Sequence, residues 1–492
     1  MPLAIRAGTL IDGTGRPPRQ NVLILTEGDR LSVVAPQAEA TIPPGYHVID
    51  ASRYTVLPGL IDCHVHLIAS GNPRDITFGL GEVARSMPAV TLECYRNALK
   101  DLSAGWTTLR DAASRHFADV ALRDTINRGD LVGPRLWCCG LGITSTAGHM
   151  DREKYLAPHV SLPGPSAVAD DPTEGRKAVR LNLRNDVDFI KINATLTEHV
   201  RRYSGYCAPE MTRETMRAIF EEAHWHGRRV TAHCYGGDGA MWAIEEGIDG
   251  IEHGFYLSDQ QLDLMAQRGV VLCPTLSVVG RFREKGDAAL PPGQPFLPAW
   301  REKAVAHAWN TTRRAHQRGV KIICGSDAAM PYVFHGTNAY ELEMLVEAGL
   351  TPLEAITSAT GAAAEAIDFK DVGTVAPAKF ADLVCADGDP LQDIRILQDL
   401  QRIPLVIKGG DCGRPETCRG SRARRGGLSA GVSSGERRRA ACVCGRASMS
   451  VHKRHSSLIR TGHLFDGTSA PAVEHGARRP RRGRTRGGFA WY

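Results

Sequence analysis

Apolar residues first come in short runs. Leu3–Arg6, Asn21–Leu25, Leu31–Val34 and His47–Ile49 read as strands, separated by Gly and Pro turns such as Asp12-Gly13. From Val56 the pattern changes, and short β-branched runs alternate with longer stretches of helical period. Predicted strands are Val56–Asp62, Thr107–Arg110, Arg135–Cys139, Phe189–Ile192, Arg229–Thr231, Gly250–Glu252, Val270–Cys273 and Lys321–Cys324. Between several of them lie helical patterns, such as Arg213–His226 and Trp300–Arg318. Eight strands with crossover segments predict an α/β fold, a (β/α)8 TIM barrel. After a last helix, Pro352–Ile367, strand-like runs return at Gly373–Val375, Ala381–Cys385 and Leu405–Ile407. They are expected to rejoin the N-terminal strands in a small composite β-sandwich; edge hairpins on the barrel are the alternative. The expected division is residues 1–57 and 369–411 for the sandwich, 58–368 for the barrel and 412–492 for a tail.

Charge separates that tail from the rest. The chain has 492 residues and a net charge of +6. From Cys412 onward, 18 Lys and Arg stand against 4 Asp and Glu, so residues 1–411 carry −8. A mildly acidic body argues against a polyanion site, so no nucleic-acid partner is expected. The tail is rich in Arg, Gly and Ser, a composition that cannot bury enough surface to fold. One island in it, LIRTGHLFDGTSAPA (Leu458–Ala472), matches AIRAGTLIDGTGRPP (Ala4–Pro18) at 8 of 15 positions. The tail thus reads as the opening of a related chain, and it is expected to contribute nothing to catalysis. No apolar run reaches membrane-spanning length and no signal peptide is visible, so no membrane partner is expected. Nine cysteines scattered before residue 400 without a CxxC pair fit a reducing cytoplasm.

The chemistry sits at strand ends. In LPGLIDCHVHL, His64 and His66 share one face of a strand. On the inner face of a barrel they would aim at the axis, at the carboxyl ends where barrel enzymes carry their sites. Two adjacent imidazoles are half of a tetrahedral metal shell. A lone buried histidine is more often a packed core residue, so the metal reading depends on further ligands at other strand ends. Lys191 closes FIKI, His233 follows VTA, His253 follows GIE and Asp327 follows IICGS. Each alone is common; all of them together at strand ends is a site.

The order HxH, Lys, His, His, Asp, in the motifs GLIDCHVHL, DFIKI, TAHCYG, GIEHGF and CGSDA, resembles the amidohydrolase superfamily. The resemblance covers roughly residues 1–411, including the opening GTLIDG and the DLVCADGDPL segment. The spacing is most similar to the imidazolonepropionase-related branch, with Xaa-Pro dipeptidases and amide, carbamate and urea hydrolases. That resemblance implies two divalent metal ions. His64, His66 and Asp327 would hold the first, and His233 and His253 the second. Lys191 would bridge them as a carbamate formed with carbon dioxide. A hydroxide shared by the metals would be the nucleophile, with Asp327 as catalytic proton shuttle. Zinc is the default for such a shell, and cobalt or manganese suits the same ligands.

For the substrate pocket the expected residues are His149, Tyr235, Tyr256 and His335, on or near loops after the predicted strands. One departure stands out. Dipeptidase-like relatives carry a tyrosine after the lysine strand, and the nearest gapless match here is Met211, although Tyr203 and Tyr206 are close. The expected activity is hydrolysis of a C–N bond of a small molecule, an amide, urea or carbamate. The alternatives are an Xaa-Pro-type dipeptidase or N-acyl amino acid hydrolase, then a ring deaminase, then a scaffold without metal. Lys191 argues against the deaminase, and the complete ligand set argues against the scaffold. Self-association as a homo-oligomer stays open.

Overall fold

The N-terminal runs extend into four strands: β1 (Leu3–Leu10), β2 (Arg19–Glu27), β3 (Arg30–Pro36) and β4 (His47–Pro58). The computed structural model describes residues 1–73, 85–153, 156–157, 159–161, 164–196, 207–289 and 297–412, all within one compact unit, Met1–Ala423. The tail beyond residue 412, Tyr203 and Tyr206 lie outside the described residues. β1 pairs antiparallel with β2 and parallel with β4.

The run expected as one strand, Val56–Asp62, is divided between two sheets. Its first residues end β4, and β5 (Leu60–Val65) begins after Gly59. Pro58 offers no ladder N–H. Gly59 lies so close to the next strand that a Cβ there would fall 2.0 Å from Thr107 Oγ1. β5 pairs parallel with β6 (Trp106–Asp111), and β6 with β7 (Arg135–Cys138). A second parallel sheet holds β8 (Gly142–Thr144), β9 (Ser166–Val168), β10 (Phe189–Asn193), β11 (Arg229–Gly236), β12 (Gly250–Tyr256) and β13 (Val271–Cys273), in the order β13-β12-β11-β10-β8-β9. Helices such as Arg213–Trp225 and Leu297–Gln317 connect these strands. The fold is therefore α/β with parallel sheets. Buried Trp106, Phe220 and Phe255 belong to the apolar cluster between strands and helices.

Lys321–Cys324, expected as the eighth strand, forms only an isolated bridge, Leu272↔Ile322. Its backbone nevertheless bonds both ways. Leu272 N–H donates to Lys321 O at 2.9 Å, and Cys63 N–H donates to Cys324 O at 2.9 Å. The chain runs on beside β5: Asp327 N–H donates to His64 O at 2.8 Å, and Ala328 bridges Val65 in parallel. Gly325 in this stretch is closely packed, and a Cβ there would lie 2.3 Å from Cys273 Sγ and 2.8 Å from His64 Cβ.

The expected helix Pro352–Ile367 is two helices, Pro352–Ser358 and Gly361–Ala366. The break has a cause: Ile61 N–H takes the Ala359 carbonyl at 2.8 Å. The chain then returns to the first sheet through β14 (Leu383–Ala386), β15 (Leu405–Lys408) and β16 (Asp411–Cys412). Instead of two sheets there is one of seven strands, β16-β15-β14-β4-β1-β2-β3. β4 is long enough to pair with both β1 and β14. A bridge from Arg30 to Phe380 ties the far edge back, so the sheet closes over Ile5, Leu10, Ile24, Val56, Leu383 and Ile407. Gly373–Val375 is not a strand; Val375 makes one bond, to Asp12 O, and adds its side chain to that core. Among the described residues no helix is long and apolar enough to cross a membrane.

Candidate metal centre

His64 lies in β5 and His66 just beyond it, Lys191 in β10, His233 in β11, His253 in β12, and Asp327 beside the end of β5, its N–H on His64 O. The structure brings them together. His64 Nε2 is 3.4 Å from His66 Nε2 and 3.5 Å from Asp327 Oδ1, and His66 Nε2 is 3.4 Å from the same oxygen. The His253 ring centroid is 5.3 Å from that of His64 and 4.7 Å from that of His233. One ligand atom each of His64, His253 and Asp327 fall within 4.8 Å of one another. The Lys191 ammonium acts electrostatically on His64, His233 and His253.

Two of these residues hold unusual backbone. His253 has φ +71° and Asp327 φ +56°, left-handed values that non-glycine residues adopt at a cost. At His253 the twist matters: Glu252 and His253 are neighbours, yet both side chains face His64.

Around this cluster the polar atoms are arranged to hold it still. Glu252 Oε2 sits 2.6 Å from His64 Nδ1, which leaves Nε2 for the centre of the cluster. Arg110 donates to Glu252 Oε1 at 2.6 Å and to Cys63 O at 2.5 Å, and Thr231 Oγ1 donates to the same Glu252 oxygen. His253 Nδ1 meets Thr275 Oγ1 at 2.7 Å. Asp62 accepts from the backbone N–H groups of His64 and Ser326, each at 3.0 Å, and from Asn338 Nδ2 at 2.8 Å. One buried carboxyl thereby ties the His64 strand to the Asp327 segment.

Burial controls the charge states. Burial, helped by the Lys191 charge, lowers His64 below the usual imidazole value. Burial and His149 push His233 well below it, and burial takes His253 down to about 3. Each of these shifts favours the neutral imidazole, the form that binds metal. Burial also lowers Lys191. For Glu252 and Asp327 burial works the other way, but interactions with neighbouring groups outweigh it. Arg110, Lys191 and His64 hold Glu252 well below the carboxylate range, and His64, His66 and His253 hold Asp327 below it. Among the described residues, three buried atoms of these six side chains have no hydrogen-bond partner: Lys191 Nζ, His233 Nε2 and Asp327 Oδ1. Orphaned buried polar groups are rare and call for an explanation. A metal fits this donor set, and so does a carbamate on Lys191, which would remove its charge.

The remaining expected residues fall at different distances. His149 stacks on His233 with ring centroids 3.9 Å apart and an 8° tilt. Tyr235 stands edge-on to His233 at 4.7 Å. Tyr256 is one step further out, 6.2 Å from Tyr235 and 5.7 Å from the exposed His307. His335 is buried, its Nδ1 2.7 Å from Asp101 Oδ2 and its Nε2 3.3 Å from His66 O, so it braces the backbone of a ligand position. The Asp101 carboxylate, at 2.7 Å, draws it in. Met211, the mismatch to the dipeptidase tyrosine, is a core residue.

Sequence reasoning missed Asp62, Asp101, Arg110, Glu252 and Thr275. Asp62, Arg110 and Glu252 did leave a signal: each is a charged residue inside a predicted strand.

Residues 55–412 match the model of the amidohydrolase family. The chain is 31% identical to ochratoxinase from Aspergillus niger over 82% of its length and 85% of that protein's. It is 24% identical to imidazolonepropionase from Cutibacterium acnes, over 80% of its length and 90% of that protein's. The solved structure of a Xaa-Pro dipeptidase with bound methionine in the active site superposes with a TM-score of 0.74 at 30% identity, covering 84% of this chain and 99% of that one. The chain belongs to the amidohydrolase family, a family of hydrolytic enzymes, in the branch of ochratoxinase, imidazolonepropionase and the prolidase-like structures.

Proposed function

We propose that this protein is a binuclear metal-dependent hydrolase that cleaves the C–N bond of a small amide-like substrate. The observation that carries the reading is the set of orphaned, buried donor atoms on Lys191, His233 and Asp327, beside the convergent imidazoles. His64, His66 and Asp327 would hold one ion, His233 and His253 the other, and Lys191 as a carbamate would join them. Zinc suits the shell, with cobalt or manganese as rivals. When bound, the ions would polarise the scissile carbonyl and lower the pKa of water. The bonds from Lys321–Cys324 to β13 and β5 support reading the two parallel sheets as one closed (β/α)8 barrel around the site.

The chain's own groups do the rest. Glu252 and Thr275 fix the ring orientations of His64 and His253. Asp327, placed between His64 and His66 in left-handed backbone, takes a proton from water and returns it to the leaving nitrogen. The His149–His233 stack and Tyr235 form an aromatic wall for the substrate.

Among substrate classes, N-acyl amino acids and dipeptides gain support from the relatives named ochratoxinase and Xaa-Pro dipeptidase. A neutral urea or carbamate is the second reading, since none of the six convergent groups beyond Lys191 is cationic. Hydrolysis assays over dipeptides, N-acyl amino acids, carbamates and phenylureas test the proposal. Metal-dependent turnover of at least one class is expected; no turnover of any class by metal-loaded protein would refute it.

A further inference from the structure

Asn193 ends β10, two residues after Lys191 and on the same face. Its register partner in β11 is His233, so the two side chains stand next to each other on adjacent strands. Asn193 is fully buried. Its Nδ2 donates to Ile143 O at 3.4 Å, and this fixes the amide's orientation. Its Oδ1 then has no donor among the described residues. Unlike Lys191 or His233, an amide oxygen beside two cation-binding positions is not needed to complete the expected shell. It lies further along the strand toward the carboxyl end than Lys191, on the side from which a substrate would arrive. A buried acceptor without a donor is costly unless a ligand supplies the donor.

We propose that Asn193 Oδ1 accepts a hydrogen bond from the N–H of the scissile amide. Asn193 would then be a specificity-determining residue that favours secondary over tertiary amides, bonds to proline included. The inference rests on the hydrolase reading above. In the reaction water adds across the C–N bond: its oxygen goes to the carbonyl carbon and its two protons end on the leaving nitrogen and in solution or on the carboxyl product. Asn193 gains and loses no proton. By holding the N–H it would turn the developing nitrogen lone pair toward Asp327, the proton donor. A tertiary amide has no N–H to offer and leaves the acceptor unpaired, the situation in which polar sites discriminate strongly.

Two matched pairs of probes test this: N-acetyl-L-phenylalanine with its N-methyl counterpart, and glycyl-L-alanine with glycyl-L-proline. The wild-type chain should prefer the secondary amide of a pair by about 100-fold or more in kcat/KM. Asn193→Ala should lose about 10- to 100-fold on the secondary amide and little on the tertiary one, so the preference collapses. Metal content and Tm should not change. Asn193→Asp, which keeps an acceptor in place, should keep the preference, and it serves if the alanine variant fails to fold. Equal wild-type rates on both members overturn the inference alone, as does an equal loss on both in Asn193→Ala or a loss of bound metal. Failure of the wild type on both pairs and on the full substrate panel overturns the hydrolase reading as well. Failure on the pairs with turnover of carbamates or ureas overturns the assignment of Asn193 to an amide N–H.

Discussion

Between the outer helices, arginines and carboxylates meet in pairs. Arg176 and Arg180 reach Glu221 and Glu222, Arg213 and Arg217 reach Glu245 and Glu246, and Arg314 and Arg318 reach Asp259 and Asp263. Most of these side chains are partly open to water. At the strand ends inside, charged groups are buried and several lack partners: Lys191 Nζ and Asp327 Oδ1, together with His233 Nε2. The first arrangement gains little, because exposed pairs are screened and cost side-chain entropy. The second is unfavourable for folding by itself, since a buried polar group without a partner is penalised. A chain that carries such a cluster on four strands and an adjoining segment gains from it in function. The contrast makes the interior sensitive to single changes and the helix ring tolerant of them.

Lys191→Ala should produce the largest effect. Metal-supported hydrolysis is expected to vanish, and short carboxylic acids with added metal should restore part of it by replacing the carbamate oxygens. Activity and two bound ions in the alanine variant without added acid would place Lys191 with the inert helix pairs. Next, Asp101→Ala leaves buried His335 without its carboxylate. A loss of about 3–5 kcal/mol in denaturant unfolding is expected, as for other half-broken buried pairs. Asp101→Asn, which retains an acceptor, should cost less. Third, Glu252→Gln should weaken metal binding about 10- to 100-fold, read by competition with a chelator, because His64 loses its charged orienting partner.

The helix ring should give the smallest response. Hydrogen bonds from Arg217 and then Arg213 hold Glu246 down at about 2, below its ordinary 4.5. A carboxyl lowered in the folded state stabilises the fold above its unfolded value, and the gain is lost as pH falls through that window. Glu246→Gln should therefore lower Tm slightly at neutral pH and not at all near pH 2. A large neutral-pH loss would erase the contrast between ring and interior.

Much of the interior was legible because strands place alternate residues on one face. His64, His66, Lys191 and His233 all follow that rule from short apolar runs. Glu252 escaped it because the left-handed backbone at His253 lets two neighbours face inward, which a period of two cannot show. The split between β4 and β5 was hidden because it depends on Thr107 approaching Gly59 from another strand. The tie of His335 to Asp101 was hidden for the same kind of reason: the two are 234 residues apart in sequence, and only the fold brings them to 2.7 Å. The seven-stranded sheet needed a tertiary fact too, the pairing of β4 with both β1 and β14.

The central claim is that the buried cluster is a two-ion centre. Protein stripped by a chelator and titrated with zinc, with bound metal and hydrolysis of an accepted substrate followed together, tests it directly. The account predicts that activity is absent in the stripped protein and reaches its plateau at two ions per chain. Full activity in the metal-free protein, or a plateau at one ion, would contradict it.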